Sequence, residues 1–235
     1  MMTDKSSFED YKKLRLRTRI EIFLRPGGKK STIANTADNA KVLDVGCGNS
    51  SATAFRELSR NCHYTGLDVT DYNQSAESIA MMDEYIVVSP TDFAKAIKEA
   101  NSDFDLIVSS HNLEHCFERW DVLDAMLNKL AVNGMLYLSF PSESSKKFPS
   151  RPTGCLNYFD DDTHVADPPN IQNIIDRIAE REEFSIEFLA KNYSPLLLRI
   201  IGLLLEPWSI LSKTVKTGTW ELYGFETILH IRRIK

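Results

Sequence analysis

Between residues 41 and 141, short apolar runs alternate with segments whose apolar positions recur every three or four residues. The runs read as strands buried on both faces: Val42, Leu43 and Val45, then 63–67, 85–88, 103–109 and 135–140. The periodic segments read as helices over 51–60, 73–82, 93–99 and 119–131. In the last of these Trp120, Leu123, Leu127 and Leu130 form one stripe, and Asn133-Gly134 supplies a stop. Such alternation predicts a parallel sheet with helices on both faces.

The flanks are less regular. Ser6-x-x-Glu9 suits a capping box for a helix over 8–25, with Leu16, Ile20, Phe23 and Leu24 on one face and Pro26-Gly27-Gly28 at its end. From Leu14 to Ile22 the alternation also fits a strand, and the richness in Arg, Leu and Lys favours the helix. A polar linker then runs to Asn39. Residues 142–166 form a long polar loop, of the kind that serves as a lid or substrate wall. Asp167-Pro-Pro169 opens a helix over 169–181 striped by Ile171, Ile174, Ile175 and Ile178, and 184–189 and 227–234 alternate as two closing strands. Between those strands, 194–211 is almost as apolar as a membrane helix, but Arg199, Glu206 and Pro207 break it short of the roughly 20 residues a span requires. Packing on the sheet, a homodimer contact, and a membrane surface or greasy acceptor pocket compete for this segment.

Composition narrows the class. A chain of 235 residues with 43% hydrophobic content supports one sizeable core: an N-terminal helical segment and linker over 1–40, then one domain over 41–235. A net charge of -5 argues against coating nucleic acid by bulk charge. Residues 11–30 nevertheless hold eight Lys and Arg against Glu21 alone, a local +7 that leaves -12 for the remainder. That stretch is a solvated helix face or a docking surface for phosphates or an anionic membrane. Cys47, Cys62, Cys116 and Cys155 show no paired or zinc-site spacing and suit reduced thiols. With neither a signal peptide nor a span in view, a cytoplasmic protein is expected, in peripheral contact with the inner face of the membrane.

The chemistry starts at Lys41-Val-Leu-Asp-Val-Gly-Cys-Gly-Asn-Ser50, a strand running into a glycine turn that a ligand can approach closely. Asp44 would repel a pyrophosphate at this turn and attract an ammonium group. Ser51 stands where the third glycine of a dinucleotide fingerprint would sit, which weakens an NAD-dependent oxidoreductase reading. Asp68, about twenty residues on, is placed to accept hydrogen bonds from ribose hydroxyls.

Together V-L-D-V-G-C-G, Asp68, F-D-L-I-V-S-S-H-N-L-E-H and N-G-M-L-Y-L-S-F-P resemble, over about residues 41–142, the class I S-adenosylmethionine-dependent methyltransferases of small-molecule and glycan type. Members usually carry glycine where Ser50 stands. The resemblance implies a Rossmann-like, doubly wound, mostly parallel seven-stranded sheet closed by an antiparallel edge strand. It also implies S-adenosylmethionine held by Asp44, Gly46, Cys47, Gly48, Asp68, Val69 and Ser110, with Asp92 reaching toward the adenine. Asp92 reads equally well as an acid favoured at the N-terminus of the helix that follows.

His111 and His115 leave the fourth strand near where an acceptor would lie, and an imidazole pKa near ~6.5 suits a general base. His115 also reads as a brace for the next helix. His164, in the loop beside Asp160, Asp161 and Asp162, is the third candidate; a carboxylate and histidine cluster there could hold a divalent cation. A run of three aspartates on a loop is ordinarily just solvated, and no metal is expected. His63 and His230 lie within strands and read as structural. The fourth strand ends in S-S-H-N and not in the Asn/Asp-Pro-Pro-aromatic signature that grips a flipped base, which disfavours nucleic acid as acceptor. The expected activity is O-methylation of a small-molecule or saccharide hydroxyl, a lipid-linked glycan included. The alternatives are a non-catalytic cofactor-binding or scaffold relative and an NAD-dependent oxidoreductase.

Overall fold

The computed structural model describes residues 14–49, 51–70 and 74–235; Ser6, Glu9, the start of the expected first helix and Ser50 lie outside them. In chain order the elements are α1 (Leu16–Leu24), α2 (Lys29–Ala34), β1 (Lys41–Val45), α3 (Ser51–Leu58), β2 (His63–Asp68), α4 (Ala76–Ala80), β3 (Glu84–Val87), α5 (Phe93–Glu99), β4 (Phe104–Ser110), α6 (Arg119–Asn128), β5 (Leu130–Pro141), α7 (Ile171–Ala179), β6 (Phe184–Ala190), α8 (Leu196–Ser212), α9 (Thr219–Tyr223) and β7 (Glu226–Arg233).

The seven strands form one sheet in the order β3-β2-β1-β4-β5-β7-β6. β1 pairs in parallel with both β2 and β4, and β7 runs antiparallel between β5 and β6. The strand order reverses at β1 and β4, where an open α/β sheet binds its ligand. Alternation along each strand divides the core in two. Leu43, Val45, Ile107, Leu136 and Leu138 face α6 and α7 through Leu123, Leu127 and Ile174. Val42, Leu106, Val108 and Tyr137 face the other way, toward Phe55 of α3.

The structure departs from the sequence pattern in four places. The linker before β1 contains α2, whose Ile33 is buried and whose Thr32 lies 3.3 Å from His230. The helix expected to run to residue 131 ends at Asn128, and β5 starts at Leu130. Asn133-Gly134 therefore does not stop a helix; it lies within β5, beside the register shift at Phe104/Leu106, with Asn133 at φ 68°. A Cβ on Gly134 would come within 2.7 Å of the Phe104 carbonyl, so only glycine fits.

α8 runs unbroken through Pro207, because a proline inside a helix removes one N–H and need not end it. Its polarity is inverted. Gly202 and Ser209 are buried, and Glu206 accepts from Tyr223 Oη at 2.7 Å and pairs with Arg151 at 3.1 Å. Leu203, Leu204, Trp208 and Leu211 point to solvent. α9 packs against its inner side so closely that a Cβ on Gly202 would meet the Gly218 carbonyl at 2.0 Å. Packing of this apolar stripe on the sheet is thus overturned. Among the described residues no helix is long and apolar enough to cross a membrane.

The 142–166 loop is a built wall. Asp160 Oδ2 accepts from the backbone N–H groups of Arg151, Leu156 and Asn157 at 2.7, 3.2 and 2.9 Å. Those bonds hold the Asp160 carboxyl below the usual carboxylate range against the opposing effect of burial. The first member of the aspartate run is therefore a loop organiser, not a solvated charge.

Candidate functional site

The glycine turn leaves β1 with Gly46 at φ 71° and Gly48 at φ 58°. Gly46 N–H donates to the Leu67 carbonyl at 2.8 Å, tying the turn to the end of β2. A Cβ at Gly46 would lie 2.4 Å from Asn112 Oδ1, whereas one at Gly48 would meet nothing within 4 Å. Gly46 is thus needed for packing and strain, and Gly48 faces open space where a ligand can sit.

Asp68 is buried at the end of β2. Its Oδ2 accepts from Gly48 N–H at 2.6 Å and its Oδ1 from Val69 N–H at 2.7 Å. Burial raises its pKa despite both bonds. Asp44 is wholly buried, and its Oδ2 accepts from Ser51 Oγ at 2.5 Å and Tyr64 Oη at 3.1 Å. The ammonium beside it is the protein's own: Lys29 Nζ, from α2, stands 3.5 Å from Oδ2 and 3.3 Å from Ser51 Oγ. Asp44 Oδ1 is buried without a partner. Cys47 is buried, and desolvation raises its thiol pKa out of reactive range.

A cleft of about 830 Å³ starts at Cys47, Asn49 and Ser51, passes Ser110 and His111, and ends at Trp220, Glu221 and Glu226. Arg25, Lys29 and Lys30 from the N-terminal helices and Leu198 from α8 complete its walls. Asp92, at the start of α5, is exposed and outside this lining.

Of the three histidines only His111 reaches the cleft. Its backbone is left-handed, at φ 52°, a conformation that a non-glycine residue adopts rarely and often at a functional site. The ring lies between two carboxylates, with Nδ1 3.2 Å from Glu114 and Nε2 3.3 Å from Glu226, and stacks near Trp220 and Phe225. Burial would lower its pKa, but the two carboxylates outweigh that and push it up to about 9. The two carboxylates thus favour the charged, hydrogen-bond-donating form of the His111 ring.

The network continues to α1. Arg25 pairs with Glu226 at 2.5 Å and with Glu221 at 3.0 Å. Burial raises the Glu221 pKa; at Glu226 it is outweighed by His111 and Arg25, which lower it. Arg25, Lys29, Trp220, Glu221 and Glu226 escaped the sequence reading. The one sign of them is an acid, Glu226, at the start of the strand that carries Ile228, Leu229 and Ile231. His115 and His164 meet on the other side of Glu114, with ring centroids 4.8 Å apart.

Residues 43–136 match a family model described as a methyltransferase domain. No curated protein sequence matches the chain. Among solved structures it is similar to the N-methyltransferase NodS from Bradyrhizobium japonicum WM9 in complex with S-adenosylhomocysteine. The identity is 14% over 99% of this chain and 100% of that one, with a TM-score of 0.53. It is also similar to an S-adenosylmethionine-dependent methyltransferase from Mesorhizobium loti, at 14% identity over 87% and 95% of the two chains and a TM-score of 0.55. The plantazolicin methyltransferase BpumL, in complex with S-adenosylhomocysteine, aligns at 15% identity over 98% and 90%, with a TM-score of 0.56.

Proposed function

Since residues 43–136 match a methyltransferase-domain model, we propose that the chain is a class I S-adenosylmethionine-dependent methyltransferase whose cleft accepts a saccharide hydroxyl carried on a lipid. The cofactor is S-adenosylmethionine, and the turn fits it: Gly48 faces open space, and Asn49 and Ser51 line the cleft beside it. In this reading Asp68, at the end of β2 beside Gly48, takes the ribose hydroxyls and Val69 follows it, while Lys29 and Ser110 line the cleft, Lys29 facing a carboxylate. Bound there, S-adenosylmethionine supplies a methyl group on an electrophilic sulfonium.

The chain's own residues then have two tasks, to align the acceptor and to remove its proton. His111, whose two ring nitrogens face Glu114 and Glu226, holds Glu226 in place at the cleft wall. Glu221, whose carboxylate burial makes more basic, takes the proton. Trp220 shares the cleft lining with three carboxylates, Glu21, Glu221 and Glu226, a combination that suits a ring with hydroxyls. The observation that carries the lipid part is α8. Its Leu198 lines the cleft while its outer leucines are exposed, so one helix connects the acceptor site to an apolar surface. Arg199 and Lys213, both exposed on or beside it, match an anionic bilayer. These features support the reading of a protein in peripheral contact with the inner face of a membrane.

Release of S-adenosylhomocysteine is the test, measured with lipid-linked saccharides, water-soluble saccharides and amine acceptors in parallel. The lipid-linked saccharides are expected to turn over fastest. Turnover confined to amines would sink the hydroxyl reading.

A further inference from the structure

From the side chains that meet behind His111, we infer that Glu114, His115 and His164 form a binding site for a divalent first-row transition ion, of which Zn²⁺ is the probe. One ligand atom from each of the three lies within 4.8 Å of the others. Glu114 is fully buried, and neither carboxylate oxygen accepts a hydrogen bond. Among the described residues its one ion-pair partner within 4.0 Å is His111, which it shares with Glu226. A buried carboxyl with no hydrogen bond to either oxygen, facing only a ring shared with a second acid, is a costly arrangement that a further cation would relieve.

The two imidazoles are prepared for such a cation. His164 Nδ1 lies 2.7 Å from the Tyr158 carbonyl, which can only accept, so Nδ1 carries the proton and Nε2 keeps its lone pair. Thr163 Oγ1 donates its single proton to Asp161 Oδ1 at 2.5 Å, so toward His115 Nδ1, 3.0 Å away, it can only accept. His115 therefore also carries its proton on Nδ1 and presents Nε2. Metal-binding histidines characteristically donate their other N–H to a carbonyl or similar acceptor in this way. Tyr158 stacks on His164 at 4.1 Å and fixes the ring. Asp161 Oδ2 stands 3.9 Å from His164 Nε2.

Two imidazole nitrogens and one carboxylate are the donor set of catalytic zinc sites, which keep a position open. The aspartate run of the 142–166 loop supplies no primary ligand; a buried glutamate from the β4 end takes that role. Ion binding is argued from these residues alone. Its use, to polarise an acceptor hydroxyl one side chain away from the cleft, rests on the methyl-transfer reading.

The full chain, stripped with chelator and dialysed, is titrated with Zn²⁺ by calorimetry, with bound metal counted by mass spectrometry. One ion per chain is expected, with affinity at least about 100-fold weaker in His115→Ala and in His164→Ala. These variants avoid Glu114, whose replacement at a buried position can disturb folding. Zn²⁺ should raise the melting temperature of the wild type and not of the variants. With Co²⁺, visible d–d bands without a thiolate charge-transfer band are expected. Wild type binding no more Zn²⁺ than the double His variant, or a thiolate band assigning the ion to cysteine, would overturn the site. S-adenosylmethionine binding, measured on the stripped protein, separates this outcome from failure of the methyltransferase reading.

Discussion

Replacing Leu203 and Leu204 together with glutamate isolates the lipid-facing role of α8 from the chemistry in the cleft. The two side chains are 64% and 74% exposed. With most of each side chain in solvent, stability should change by no more than about 0.5 kcal/mol per site. Burying a leucine is worth roughly 1.5–3 kcal/mol; scaled to the exposed two-thirds, the pair contributes about 2–4 kcal/mol when α8 meets an apolar phase. Since about 1.4 kcal/mol is tenfold, the variant should bind membranes ~30- to 1000-fold more weakly, before the two added charges are counted. Co-sedimentation with vesicles containing anionic lipid reads this directly. S-adenosylmethionine binding should be unchanged in the same preparation. Wild type remaining in the supernatant at every lipid concentration, or a variant sedimenting equally well, would refute the reasoning.

Other substitutions probe the site. Asp68→Ala should abolish S-adenosylmethionine binding by calorimetry, since it removes the ribose acceptor together with the bonds to Gly48 and Val69. Gly46→Ala combines a left-handed backbone with a Cβ 2.4 Å from Asn112 Oδ1. It should cost about 1–3 kcal/mol, read as a fall in melting temperature of roughly 2–4 °C per kcal/mol. Glu221→Gln should leave cofactor binding intact and slow transfer at least about a hundredfold, the usual worth of a general base; unchanged turnover would move proton acceptance elsewhere.

The elements that position the cofactor were legible because each carries its own local signal. β1 runs into a glycine turn, β2 ends in an acid and β4 is an apolar run ending in serines, and Asp68 sits at a fixed distance beyond the turn. The acceptor side has no such signal. Arg25 and Glu226 are 201 positions apart and meet only because β7 lies beside β5 and α1 folds across that end. α2 is too short for periodicity and is held by Ile33 in the core. His111 looked like a base from its residue type alone; only the fold shows the carboxylates on either side of it. In α8 the leucines were visible, but which of them face outward depends on where Glu206 finds Arg151 and Tyr223. Glu114, read only as part of an L-E-H string, proved to be the buried acid toward which His115 and His164 converge.

The central claim is the identity of the cofactor, and calorimetric titration of one preparation with S-adenosylmethionine and with NAD tests it most directly. The account predicts saturable binding of S-adenosylmethionine at one site per chain and none of NAD. No binding of S-adenosylmethionine at millimolar concentration, or binding of NAD in its place, would contradict it.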